Sequence, residues 1–143
     1  MLNLDLPDLS ATEALAARVA DSARPGDAIL LRGPLGAGKT AFVRAFLRHA
    51  TGNAGLDVPS PSYTLVQSYE TRMGPVHHFD LWRLDGPHAL VELGWDELTV
   101  DIVVVEWPER LGDLRPDAAL ELVFTPIGEH ARQVRLSGWE GRL

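Results

Sequence analysis

The sequence predicts an α/β fold: three layers, with a mixed central sheet whose later strands run antiparallel. Three observations carry this expectation. Two short continuous apolar runs, Ala28-Ile-Leu-Leu31 and Ile102-Val-Val-Val105, have the pattern of strands buried on both faces. Helical spacing of apolar residues precedes the first run and resumes after the glycine-rich segment 33–38 that closes it. Two segments, 119–125 and 131–137, flank a Pro-Ile-Gly turn and read as a final hairpin.

Taken in order, Ser10-Ala-Thr-Glu13 reads as a capping box opening a helix. Leu15, Ala16, Val19 and Ala20 follow at helical spacing, and Arg24-Pro25-Gly26 stops it. After the strand at 28–31 and the glycine loop, Phe42, Val43, Phe46, Leu47 and Ala50 share one helical face, with Arg44 and Arg48 on the other. Gly52 is a C-terminal stop. Residues 53–61 are polar and carry Gly and Pro, the composition of an exposed loop. Residues 63–69 and 76–81 read as two strands around a turn at 72–75, and Pro87 opens a short helix reaching residue 93. No repeat or linker interrupts the chain, so residues 1–143 are expected to form one domain.

Composition narrows the function. The chain has no cysteine, which excludes disulfides, thiolate metal ligands and a thiol nucleophile. No apolar run reaches the length of a membrane span and no signal peptide is recognisable, so a cytoplasmic protein is expected. The net charge of −7 and the scattered arginines argue against direct, tight binding of nucleic acid.

The chemistry begins at GPLGAGKT. Gly33-x-x-x-x-Gly38-Lys39-Thr40 is a complete Walker A string between a buried strand and an amphipathic helix, the context that a P-loop NTPase requires. Its glycines let backbone N–H groups approach phosphate oxygens, and the helix N-terminus adds unpaired donors. Lys39 is placed for the β- and γ-phosphates of ATP, and the Thr40 hydroxyl for Mg2+. Candidate nucleotide-binding positions are therefore Gly33, Gly36, Ala37, Gly38, Lys39, Thr40 and Ala41. Lys39 is the sole lysine; the other twelve basic residues are arginine. A phosphate cradle needs a point charge on a thin stem, which a planar guanidinium cannot supply.

Two acids end apolar strands. Glu106 follows Ile102-Val-Val-Val105 and Asp80 follows Val76-His-His-Phe79, both at strand ends where open α/β sheets bind ligands. One would hold Mg2+ and the other orient or deprotonate water; the plain alternatives are a helix cap for Asp80 and a solvated strand end for Glu106. Ser60-Pro-Ser62-Tyr63-Thr64 reads either as a switch-like loop sensing the γ-phosphate or as a turn before a strand. His77 and His78 alternate faces of a strand and are assigned structural roles. A small nucleoside or metabolite kinase is the rival to an ATPase. The guanine-specifying Asn-Lys-x-Asp motif is impossible with a single lysine.

GPLGAGKT, SPSYTLV (60–66), HFDLWRL (78–84) and EWPER (106–110) together resemble the motifs of the TsaE (YjeE) family, over nearly the whole chain. The resemblance implies a Mg-dependent ATPase working with a TsaB–TsaD complex to form threonylcarbamoyladenosine in tRNA, with tRNA met only through those partners. It implies that Lys39 and Thr40 serve the triphosphate and magnesium, that Glu106 is the magnesium-site acid, and that Asp80 is a second acid needed for turnover. It implies that Ser60, Ser62 and Tyr63 belong to a partner-facing switch-like loop, and that adenine meets the N-terminal segment and last hairpin, here Arg132. Three positions depart from the family pattern. Ser62 replaces a threonine and keeps the hydroxyl, Trp82 replaces a tyrosine and loses it, and Pro34 replaces an acid in the phosphate loop.

Overall fold

The structure is a computed structural model and describes residues 2–143. Its elements are β1 (Leu2–Leu6), α1 (Leu9–Ser22), β2 (Ala28–Arg32), α2 (Lys39–Thr51), β3 (Val66–Thr71), β4 (Gly74–Asp80), α3 (His88–Glu92), α4 (Trp95–Leu98) and β5 (Ile102–Glu106). A 3-10 segment, Pro108–Leu114, then leads to β6 (Ala119–Ile127) and β7 (Ala131–Ser137). The seven strands form one sheet in the order β1-β7-β6-β2-β5-β4-β3. The four central strands are parallel, while β3, β7 and β1 join antiparallel at the flanks.

Period-two alternation sorts the buried residues into two layers. Ile29 and Leu31 of β2, Val76 of β4, Ile102 and Val104 of β5, and Leu120 and Leu122 of β6 face α1 and α2. Leu30, Phe79, Val103 and Val105 point to the opposite face and pack with Leu90, Trp95 and Leu111 from the α3, α4 and 3-10 segments. The expected three layers are thus present, with a mixed sheet between two sets of helices. On the α2 side, Phe42 anchors the packing, with ring centroids 6.3 Å from Phe46 and 5.8 Å from Phe124. Truncating such a ring to alanine costs about 3–5 kcal/mol, so α2 and the loop before it are firmly seated.

Several local expectations differ from what the chain does. The first helix is capped by Asp8, whose carboxylate accepts from the Ala11 amide at 2.9 Å; Ser10 lies inside the helix, so there is no capping box at 10–13. Residues 63–65 form a turn and not a strand. The Leu65 amide donates to the Pro61 carbonyl at 2.7 Å, and Leu65 has φ 69°, a left-handed conformation that no ladder accommodates. Pro126 and Ile127 belong to β6, where they pair with Arg132 and Ala131, and the hairpin turns at residues 128–130. The alternating Leu2, Leu4 and Leu6 make β1, which finds its partner in β7.

Candidate functional site

The parallel strands β2, β5 and β4 end side by side, and the loops leaving their carboxyl ends enclose a cleft of about 380 Å3. The topology places it there because neighbouring parallel strands all deliver their C-termini to one edge of the sheet. Its walls are Leu35, Gly36, Gly38, Lys39, Thr40 and Ala41 from the glycine loop and α2, Ser60 and Ser62 from the following loop, Asp80 and Trp82 after β4, Glu106 and Trp107 after β5, and Arg132 from β7. Arg44, one turn along α2 from Thr40, completes the lining.

The glycine loop requires glycine for two separate reasons. A Cβ on Gly33 would lie 2.7 Å from the Phe124 carbonyl oxygen, so the loop could not pass β6. Gly38 caps α2 with φ 108°, a left-handed turn that brings the first turn of the helix to the cleft with no side-chain cap on its N–H groups. Those N–H groups and the helix dipole make a site for anions.

Lys39 is 4% exposed, and its ammonium donates to the Gly33 carbonyl at 2.6 Å. The same nitrogen lies 3.5 Å from the centroid of the Trp107 ring. Burial pushes the Lys39 pKa below its ordinary value, and the negative charges of Glu106, Glu109 and Asp80 oppose that shift. Trp107 reaches its position through a left-handed backbone, φ 60° and ψ 53°, a conformation that costs a bulky residue about 1–2 kcal/mol. Its ring also packs on Trp82, with centroids 4.5 Å apart.

The two acids are held differently. Asp80 and Glu106 are register partners at the ends of β4 and β5, and both are buried, at 6% and 3% exposure. Asp80 Oδ2 accepts from Ser60 Oγ at 2.9 Å and lies 3.2 Å from Ser62 Oγ, while Oδ1 accepts from the Trp82 amide at 3.1 Å. Glu106 Oε2 instead pairs with His78 Nε2 at 2.7 Å. Arg132 donates to the Gly36 carbonyl at 3.1 Å and lies over Gly38, tying the final hairpin to the phosphate loop. Beyond Arg132 a second cavity, also about 380 Å3, is lined by Asp8, Leu9, Thr12, Gly38, Ala41, Glu129 and His130.

The cleft therefore gathers Gly36, Gly38, Lys39, Thr40, Ala41, Ser60, Ser62, Asp80, Glu106 and Arg132. Three anticipated residues lie elsewhere. Ala37 is fully buried beneath the loop. Gly33 faces the neighbouring cavity toward Arg32 and Glu109 and touches the cleft only through its carbonyl on Lys39. Tyr63 is 84% exposed, with the Arg83 guanidinium 4.7 Å from its ring centroid, and does not line the cleft. Sequence reasoning missed His78 and Arg44. The faces of strand and helix were legible, but not which long-range neighbour each face would meet.

The fold and the cleft together define the P-loop NTPase fold class. A family profile described as "Threonylcarbamoyl adenosine biosynthesis protein TsaE" matches residues 6–134. The chain is 36% identical over 122 residues to the tRNA threonylcarbamoyladenosine biosynthesis protein TsaE of Rickettsia felis, covering 85% of this chain and 71% of that protein. The Synechocystis protein of the same name is 39% identical over 114 residues, covering 76% and 71%, and that of Bacillus subtilis 32% identical over 125 residues, covering 86% and 77%. The crystal structure of Bacillus subtilis YdiB superimposes with a TM-score of 0.76 at 28% identity, covering 99% of this chain and 87% of that one. The chain belongs to the TsaE family, whose members serve tRNA threonylcarbamoyladenosine biosynthesis.

Proposed function

We propose that the cleft binds ATP with Mg2+ and hydrolyses it, and that this hydrolysis serves threonylcarbamoyladenosine formation in a complex with TsaB and TsaD. The observation supporting the reading is convergence. A helix N-terminus, the sole lysine of the chain, the Thr40 hydroxyl and two buried carboxylates share one cleft, although they come from positions up to 67 residues apart. The donors fit magnesium. They are the Thr40 hydroxyl and the carboxylates of Asp80 and Glu106, oxygens only. Magnesium takes few protein ligands and keeps phosphate oxygens and waters.

In this reading the glycine-loop amides and Lys39 hold the phosphates. Thr40 and Glu106 hold the ion, which when bound neutralises charge on the phosphate oxygens. Asp80, steadied by Ser60, Ser62 and the Trp82 amide, accepts a proton from water or orients it. The base occupies the cavity between α1 and the hairpin, with Arg132 between it and the phosphates. An acidic chain meets tRNA through its partners and not through its own surface. ATPase rate measured with and without TsaB–TsaD and tRNA tests the reading. Stimulation by the complex is expected. Phosphorylation of an added acceptor, or indifference to the complex, would defeat it.

No helix among the described residues is long and apolar enough to cross a membrane.

A further inference from the structure

His78 is one of the most deeply buried polar side chains of the chain, 1% exposed, two residues before the end of β4. It pairs in register with Val104, so the parallel ladder places Glu106 two residues further along the next strand on the same face. The imidazole reaches across and meets Glu106 Oε2 at 2.7 Å. A carboxylate oxygen can only accept, so the hydrogen lies on Nε2. Nδ1 has no partner among the described residues. A hydrocarbon side chain would fill the same buried space with no polar group to desolvate, so packing alone does not account for an imidazole here.

We infer that His78 is a positioning residue for Glu106. By taking Oε2 from inside the sheet, it fixes the carboxylate plane and leaves Oε1 as the one oxygen presented to the cleft. The inference rests on the reading of Glu106 as a magnesium-site acid. The neighbouring His77 provides a contrast on the opposite face: it is paired at both nitrogens, with Ser68 Oγ at 2.7 Å and Asp101 Oδ2 at 2.9 Å, and contacts nothing in the cleft. Of two adjacent histidines, one ties strand to strand and the other aims an acid.

The test compares ADP affinity in EDTA with ADP affinity in magnesium, by calorimetry, so that no turnover is involved. The ratio of the two measures coupling between nucleotide and ion. In His78→Leu the affinity in EDTA should stay at the wild-type value while the magnesium enhancement falls about tenfold, the usual size for loss of a partner behind a ligand. In His78→Gln, whose amide donor can reach the same oxygen, most of the enhancement should return. Equal losses in both variants, or none in His78→Leu, would overturn the inference. A wild-type protein lacking any magnesium enhancement would remove the metal-site reading of Glu106 itself, and this one with it. On the wild-type protein, 15N spectra of the His78 ring should report hydrogen on Nε2. The opposite tautomer overturns the assignment whether or not the variants fold.

Discussion

Replacing Lys39 by methionine separates two effects that a simple alanine scan confounds. Methionine keeps an unbranched stem against Trp107 but removes the ammonium that lies 3.5 Å over the ring and 2.6 Å from the Gly33 carbonyl. A charge-assisted contact to phosphate contributes about 1.5–3 kcal/mol. A central value of about 2 kcal/mol corresponds to roughly thirtyfold in ATP affinity. At ATP a hundredfold above the wild-type Kd, binding stabilises the wild-type fold by about 2.7 kcal/mol and the variant by about 0.9 kcal/mol. The difference is about 4–8 °C of nucleotide-induced Tm shift for a domain of this size. Without nucleotide the sign changes. Burial disfavours the Lys39 cation in the folded chain, so its removal should leave Tm unchanged or slightly raised. Thermal melts with and without Mg-ATP read both quantities. A variant that keeps the whole ATP-induced shift, or one that melts several degrees lower with no ligand present, would refute the reasoning.

Two further outcomes follow from the same loop. Gly33→Ala places a Cβ 2.7 Å from the Phe124 carbonyl in a left-handed backbone and should cost about 1–3 kcal/mol. Gly36→Ala, with nothing within 4 Å, should melt higher than Gly33→Ala while still weakening ATP binding; equal Tm values would contradict the close-approach argument. The pH dependence of binding is fixed by sign. Lys39 begins below its ordinary 10.5 in the free protein, and phosphates beside it raise it again. Binding therefore takes up a proton at alkaline pH, and ATP affinity falls as pH rises through the free-protein pKa of Lys39. Calorimetry in buffers of different ionisation heat should detect that uptake in the wild type and not in Lys39→Met.

Much of the architecture is local and was therefore readable. The apolar run ending in Glu106 is a buried strand because its residues are apolar on both faces, and Gly33–Thr40 has the spacing of a phosphate loop in any context. What escaped depends on contacts distant in sequence. Leu2-Asn-Leu-Asp-Leu6 alternates plainly, yet it is a strand only because β7 offers an edge. Arg132 was named as a site residue only through the family resemblance, and its contact with the Gly36 carbonyl across 96 residues is set by the β6–β7 hairpin and not by either segment's composition. His78 and His77 look equivalent as letters, and only the neighbouring strand decides which meets Glu106. Asp8 took the helix cap from Ser10 two residues ahead, within the ordinary uncertainty of helix ends.

Both oxygens of Asp80 already accept hydrogen bonds from its own surroundings, and this changes what its customary substitute would mean. Asparagine has the same shape, but one of its two terminal atoms becomes an NH2 donor. If the remaining oxygen keeps the Trp82 amide, the new donor faces Ser60 and Ser62 Oγ, whose hydrogens must turn away so that the hydroxyls accept where they had donated. Asp80→Asn thus reverses the hydrogen bonds that hold the loop and removes a charge in one stroke, so a dead variant cannot by itself assign the proton-accepting role. Ser60→Ala with Ser62→Ala is the control that frees the loop and leaves the acid intact.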